Sequence, residues 1–115
     1  MSQTNRMACG IDIGGSGIKG ALVDLETGEF AGERVRIDTP RPSTPKAVAK
    51  VCRTIIDRLG VEEDVPVGIT FPAPIVHGSV RFMANLDKSW TGVNLTELMR
   101  EHLGRPVTGL NDADA

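Results

Sequence analysis

The amino-acid sequence predicts an α/β fold in which one mixed sheet forms in the element order β-β-β-α-β-α-β. Short apolar segments that end in glycine or proline turns indicate the strands, and two longer segments with apolar residues at helical spacing indicate the helices. A chain that crosses over through a helix returns parallel to the strand it left, so the first, fourth and fifth strands would run parallel. We expect the helices to cover both faces of this sheet. The 115 residues suffice for one domain with a core.

The elements follow in order along the chain. The first three strands are joined by tight loops, which favours antiparallel pairing. The first helix is predicted between a cap at Ser43 or Thr44 and an end at Gly60, and the second between a cap at Asn94 and an end at Gly104. A long loop with room for short strands lies between the fourth strand and the second helix. The five predicted strands cover residues 7–13, 18–25, 30–37, 66–71 and 106–110.

Composition and charge exclude several function classes. The net charge is −2 and the pI is about 5.6, so the chain lacks the basic surface of a nucleic-acid-binding protein. No apolar run approaches the ~18–20 residues of a membrane span, and the first residues lack the apolar region of a signal peptide. We therefore expect a cytoplasmic protein without a membrane or nucleic-acid partner. Cys9 and Cys52 have no metal-site spacing and are predicted to be buried apolar residues.

A glycine-rich turn between the first two strands predicts a phosphate site. Glycines let backbone N–H groups approach an anion together, and a serine hydroxyl and a lysine ammonium add donors. Asp12, at the end of the first strand, would repel phosphate unless Mg²⁺ lay between them, so Asp12 is the candidate metal ligand. An ordinary tight hairpin is the alternative interpretation. The predicted phosphate-binding residues are Gly14, Gly15, Ser16, Gly17 and Lys19.

The same turn matches the Gly-x-Gly-x-x-Gly pattern of dinucleotide sites through Gly15, Gly17 and Gly20, with Asp38 about 20 residues further on. That pattern requires a helix directly after the glycines. Here a second strand and a hairpin turn follow, so we reject a dinucleotide site.

An Asn-Asp pair follows the fifth strand. If the parallel strands share a sheet, their carboxyl ends at Asp12, residues 71–72 and residues 111–112 open on one crevice. Asp112 taken alone is best interpreted as a helix N-cap, which would also hold its carboxylate in place. The amide of Asn111 suits a vicinal diol, and Asp114 should point elsewhere.

These segments resemble a known family. Residues 12–19 and 110–115 resemble the ROK sugar kinases of the ribonuclease H-like (actin-like ATPase) fold. Residues 39–50 and 85–90 are similar to the bacterial polyphosphate glucokinases and polyphosphate/ATP glucomannokinases. The resemblance extends over nearly the whole chain from Cys9 onward.

The resemblance implies a hexokinase-type phosphotransferase. Asp112 would be the general base on the 6-hydroxyl of glucose, with mannose as a second sugar, and Asn85 and Asn111 would hold other hydroxyls. ATP or inorganic polyphosphate would be the donor, with Mg²⁺. Residues 1–115 would be the N-terminal lobe, with the second lobe absent and the isolated piece inactive. We expect a homodimer for the full-length protein.

Three alternatives remain. A ROK-type repressor would carry a DNA-binding segment before the glycine turn, where this chain has only residues 1–8 before the first strand continues into the turn. An actin-like or acyl-kinase relative would use the same turn, and a non-catalytic sugar-binding or regulatory ROK-type domain would keep the sugar contacts. Ser16 replaces the family's usual threonine, and Pro72-Ala73-Pro74 replaces Pro-Gly beside the sugar. Trp90 is either a lid or polyphosphate contact or an anchoring aromatic residue.

Overall fold

The computed structural model describes residues 6–71, 75–76, 79–80 and 88–111. The strands are β1 (Met7–Ile13), β2 (Gly17–Asp24), β3 (Phe30–Asp38), β4 (Val67–Phe71), β5 (Ile75–Val76), β6 (Ser79–Val80) and β7 (Val107–Asn111). The helices are α1 (Pro45–Leu59) and α2 (Leu95–Leu103), and a 3-10 turn covers Lys88–Trp90.

Five strands form one mixed sheet in the order β3-β2-β1-β4-β7. β1 pairs antiparallel with β2, and β2 with β3, whereas β1 and β4 pair in parallel, as do β4 and β7. The predicted mixed sheet and element order are therefore confirmed. β5 and β6 pair with each other as a short separate hairpin within the predicted loop.

Both helices begin and end at the predicted kinds of residue. The Thr44 side chain accepts a hydrogen bond from the Ala47 N–H at 3.3 Å, so Thr44 is the cap of α1. Gly60 ends this helix in the left-handed conformation at φ 64°. Asn94 caps α2 by accepting from the Glu97 N–H at 3.0 Å. These local signals explain why the helix bounds could be predicted.

The expectation that helices cover both faces is wrong for the described residues. α1 and α2 pack against each other, and the Arg53 guanidinium on α1 donates to the His102 carbonyl on α2 at 3.0 Å. The physical reason is the direction of the crossovers. The chain moves from β3 past β1 to β4 and on to β7 in one direction, and right-handed crossovers in one direction place their helices on one face.

The core lies between this face and the two helices. Along β1, Cys9, Ile11 and Ile13 are buried, whereas Gly10 and Asp12 are exposed on the opposite, open face. The buried residues of the core also include Ile18, Val48, Ala49, Cys52, Ile55, Ile56, Val67, Ile69, Phe71, Trp90, Leu95, Met99, Leu103 and Val107.

None of the helices in the described part of the chain has the length and apolar character needed to cross a membrane.

Burial explains the chemistry of the two cysteines. Both are buried and free, as predicted. Desolvation raises the pKa of the Cys9 thiol to about 11 and that of the Cys52 thiol to about 12. Both side chains are therefore neutral apolar groups at physiological pH, and neither has the low pKa of a reactive thiol.

Candidate active site

The candidate site lies where the carboxyl ends of the parallel strands meet. Asp12 on β1 is the register partner of Thr70 on β4, and Phe71 at the end of β4 is the partner of Asn111 at the end of β7. The β1–β2 turn follows Asp12 by one residue. Strand pairing thus brings the glycine turn and the start of the Asn-Asp segment to the same edge of the sheet, as in other open α/β sheets that bind ligands there.

The turn itself is a tight hairpin between Ile13 and Ile18, which are paired in register. The Gly14 N–H donates to the Gly17 carbonyl at 3.0 Å. A Cβ at position 14 would lie 2.9 Å from that carbonyl oxygen, so the close approach of the two backbones requires glycine. A Cβ at Gly17 would lie 2.5 Å from the Arg36 guanidinium, which covers it.

Residues at the end of β3 and in the connector between β3 and α1 (residues 39–44) form hydrogen bonds with this turn. Thr39 is 6% exposed, and its hydroxyl donates to the Gly14 carbonyl at 2.7 Å. Its backbone N–H donates to the Ser16 carbonyl at 3.1 Å. The Arg36 guanidinium reaches the same Ser16 carbonyl at 3.4 Å and binds the Asp38 carboxylate at 2.6 Å. Two carbonyls of the turn are therefore bound to the β3 end of the sheet.

Asp12 lies on the open face at the mouth of the site. The Thr70 hydroxyl donates to Asp12 Oδ1 at 2.7 Å, and within the described residues the second carboxylate oxygen has no partner. Within that part of the chain, no group of three or more His, Cys, Asp or Glu side chains could hold a metal. A single oriented carboxylate still fits Mg²⁺, which commonly keeps several waters and binds one or two carboxylates together with substrate phosphates.

A row of polar side chains crosses the open face beside Asp12. Lys19 on β2 is the register partner of Asp12 and also of Arg36 on β3. Lys19 is exposed and forms no ion pair within the part of the chain that the structure describes. A shallow groove of about 310 Å³, lined by these side chains and by Phe30 and Arg34, continues along the face. Basic side chains on β2 and β3 therefore lie beside Asp12 on the open face, and that of Arg36 is paired with Asp38.

Trp90 is an anchoring residue. Its side chain is fully buried, and its Nε1–H donates to the Ser43 carbonyl at 2.8 Å. Its ring packs against Phe71 with a centroid separation of 4.6 Å. The interpretation of Trp90 as a lid or polyphosphate contact is wrong, because a side chain without exposed surface can neither cover a ligand nor touch polyphosphate. The ring instead fastens the segment before α2 to the end of β4.

The structure brings together only part of the predicted site. Asp12, Lys19 and the turn residues 14–17 lie at one edge, and the backbone of Asn111 reaches the same edge. Asn85 and Asp112 lie outside the described residues. The roles of these residues in binding or catalysis therefore stay predictions.

Three residues that contact the site were missed by the sequence analysis. They are Arg36, Thr39 and Thr70. Strand register is the signal that could have found them. Asp12 shares a face of the sheet with its register partner on the parallel strand, and that partner is Thr70. Gly17 pairs with Asp38, so the residue after Asp38, which is Thr39, lies against the turn.

Comparison with known proteins decides the family. The family model described as "ROK family" matches residues 8–115. The chain belongs to the ROK family. The chain is also 49% identical over 113 residues to the polyphosphate glucokinase of Mycobacterium tuberculosis strain H37Rv, covering 97% of the chain and 42% of that protein.

Solved structures of ROK proteins confirm the fold. The inorganic polyphosphate/ATP-glucomannokinase from Arthrobacter sp. strain KM matches with a TM-score of 0.89 and 46% identity, over 96% of this chain and 46% of that one. The Streptomyces griseus ROK glucokinase, solved with glucose and AMPPNP, matches with a TM-score of 0.80 and 28% identity, over 93% and 33%. The actin-like ATPase fold is thus confirmed. The chain spans less than half the length of these relatives.

Proposed function

We propose that this ROK chain forms the N-terminal lobe of a kinase that transfers a phosphoryl group from polyphosphate or ATP to the 6-hydroxyl of glucose, with mannose as a second acceptor. One observation carries the proposal: parallel pairing of β1, β4 and β7 brings the glycine turn and Asn111 to one edge of the sheet. Ligands of open α/β sheets bind at such an edge, so a phosphate donor at the turn and a sugar at Asn111 would lie next to each other. The glucokinase and glucomannokinase relatives support this assignment.

In the proposed reaction, the Asn-Asp segment acts on the sugar and the glycine turn binds the phosphoryl donor. The Asp112 carboxylate accepts the proton of the 6-hydroxyl as its oxygen attacks the terminal phosphorus, and the leaving group is ADP or the shortened polyphosphate. Asn85 and Asn111 hold other sugar hydroxyls. The amides of residues 14–17, the Ser16 hydroxyl and the Lys19 ammonium bind the donor phosphates. Asp12 would hold Mg²⁺, which supplies positive charge against the phosphate oxygens when bound.

The wider proposal concerns the whole protein. A second lobe would complete the donor site, so residues 1–115 alone would be inactive. We further propose a cytoplasmic homodimer that binds no nucleic acid. These proposals are based on the resemblance to sugar kinases and on the net charge of −2.

A coupled hexose 6-phosphate assay on the full-length gene product tests the function. ATP and polyphosphate are compared as donors, and wild type is compared with Asp112→Asn. We expect the Asp112 variant to lose about 10²- to 10⁴-fold in rate, the usual contribution of a general base. Asp114→Asn, two residues further on, is the matched control and should stay within a few-fold of wild type.

Two outcomes would contradict the proposal. Full activity of Asp112→Asn would remove the base assignment. Absence of turnover with either donor would reject the kinase, and sugar binding without turnover would favour a non-catalytic or regulatory sugar-binding domain instead.

A further inference from the structure

We propose that Thr39 is a positioning residue for the phosphoryl donor, acting through the glycine turn rather than by contact with the donor. This inference rests on the proposed function of that turn. Thr39 stands in the connector between β3 and α1, and no motif of the turn includes it. It contacts the turn through both its side chain and its backbone.

The contacts are placed where they control peptide orientation. The Thr39 hydroxyl binds the Gly14 carbonyl at 2.7 Å, and the Thr39 N–H binds the Ser16 carbonyl at 3.1 Å. In a planar trans peptide the carbonyl of one residue and the N–H of the next point in opposite directions. Binding these two carbonyls therefore directs the N–H groups of Gly15 and Gly17 away from the connector.

Both effects favour an anion at the turn. Carbonyl oxygens carry partial negative charge and would repel phosphate, whereas N–H groups attract it. A turn made of glycines has many accessible conformations, so an external restraint is needed to keep one of them populated. Preorganised N–H groups bind charge better than groups that must reorient during binding.

The surroundings strengthen this restraint. Thr39 is only 6% exposed, so water competes little for its hydroxyl bond. The Arg36 guanidinium reaches the same Ser16 carbonyl at 3.4 Å and is itself held by the Asp38 carboxylate. The turn is thus restrained by a buried neutral donor and by an exposed charged one.

The test compares Thr39→Val with Thr39→Ser in the full-length protein. Valine keeps the β-branched shape and the backbone N–H but loses the hydroxyl, and serine keeps the hydroxyl. Thr54→Val is the matched control, because it removes a threonine hydroxyl bound to the Lys50 carbonyl at 3.0 Å on the exposed side of α1. The measurements are the KM values for donor and glucose, kcat, and the Kd for inorganic tripolyphosphate by calorimetry.

We expect Thr39→Val to raise the donor KM and the tripolyphosphate Kd about tenfold, as the loss of one shielded hydrogen bond predicts. The glucose KM should change less than about twofold, and Thr39→Ser and Thr54→Val should resemble wild type. Unchanged donor KM and Kd in Thr39→Val would overturn the inference, as would a fall in kcat alone or equal losses in Thr39→Val and Thr39→Ser.

Two further outcomes are also informative. If Thr39→Val does not fold, Arg36→Gln removes the exposed restraint, and an unchanged donor KM in that variant would overturn the inference. If wild type transfers no phosphoryl group but binds tripolyphosphate, and Thr39→Val binds it about tenfold more weakly, the proposed function fails while the positioning role stands. If wild type shows neither turnover nor tripolyphosphate binding, both fail.

Discussion

Substitution of Gly20 by alanine tests the packing of β2, the strand that follows the glycine turn, against α1. Gly20 lies on β2 and faces the helix. A Cβ at this position would lie 2.3 Å from the Ile55 Cγ2 methyl, 3.6 Å from Leu59 Cδ1 and 3.7 Å from the Gly10 carbonyl oxygen. The first distance is roughly 1 Å inside the ~3.5 Å at which two carbon atoms touch.

The expected cost follows from the burial of the partner. Ile55 has no exposed surface, so its methyl group cannot turn into solvent, and either α1 or the strand must shift. Overpacking of this kind typically costs about 1–3 kcal/mol. The gain from a less flexible unfolded chain, about 0.4–1 kcal/mol, offsets only part of it. We therefore expect a net loss of about 1–2 kcal/mol in the free energy of unfolding.

Urea unfolding of the purified protein, followed by circular dichroism, measures this loss. Gly10→Ala is the matched control: Gly10 lies on the neighbouring strand, and a Cβ there meets nothing within 4 Å among the described residues. The control should change the free energy of unfolding by less than about 0.5 kcal/mol.

A double-mutant cycle identifies the contact responsible. Ile55→Ala alone should cost about 2–5 kcal/mol, because it leaves a cavity. In that background the alanine at position 20 has room, so it should be neutral or stabilising. An equal cost of Gly20→Ala in both backgrounds would refute the reasoning.

Two other predictions concern buried side chains. Trp90→Phe loses the Nε1–H bond to the Ser43 carbonyl and part of the ring volume, so it should lower the free energy of unfolding by about 2–4 kcal/mol, measured by urea unfolding. Trp90→Ala should cost more, and a neutral Trp90→Phe would contradict the anchoring role. Burial raises the thiol pKa to about 11 for Cys9 and to about 12 for Cys52. The contribution of the buried neutral thiols to the free energy of unfolding is fully present below the ordinary pKa of 9.0 and is lost as the pH rises through the raised values. Stability above pH 9 should therefore fall more steeply in wild type than in a Cys9→Ala/Cys52→Ala variant, and equal slopes would contradict it.

The elements of this fold could be predicted because their signals are local. A threonine or asparagine at the cap and a glycine in the left-handed conformation lie directly at the ends of the helix they delimit. Gly60 and Asn94 could therefore be identified from the sequence, and the cap of the first helix could be narrowed to Ser43 or Thr44. The faces covered by the helices could not be predicted in the same way. They depend on the order of strands in the sheet, which no single segment of the chain encodes.

In the candidate site, too, the residues with a local sequence signal could be predicted, and those placed by strand pairing could not. The glycine turn lies within five residues of Asp12 and has a composition that indicates phosphate, so it was predicted from the sequence. The threonines that contact the site come from elsewhere in the chain: Thr39, which binds the turn, is 25 residues from Gly14, and Thr70, which binds the Asp12 carboxylate, is 58 residues from Asp12. Threonine is common, and a threonine at the end of a strand carries no chemical signature of its own. The position of Thr39 can be inferred only when strand register is known, because the pairing of Gly17 with Asp38 places the next residue, Thr39, against the turn. The glycines of the turn provide conformational freedom, and Arg36 on β3 together with Thr39 just after this strand bind carbonyls of the turn and so limit this freedom.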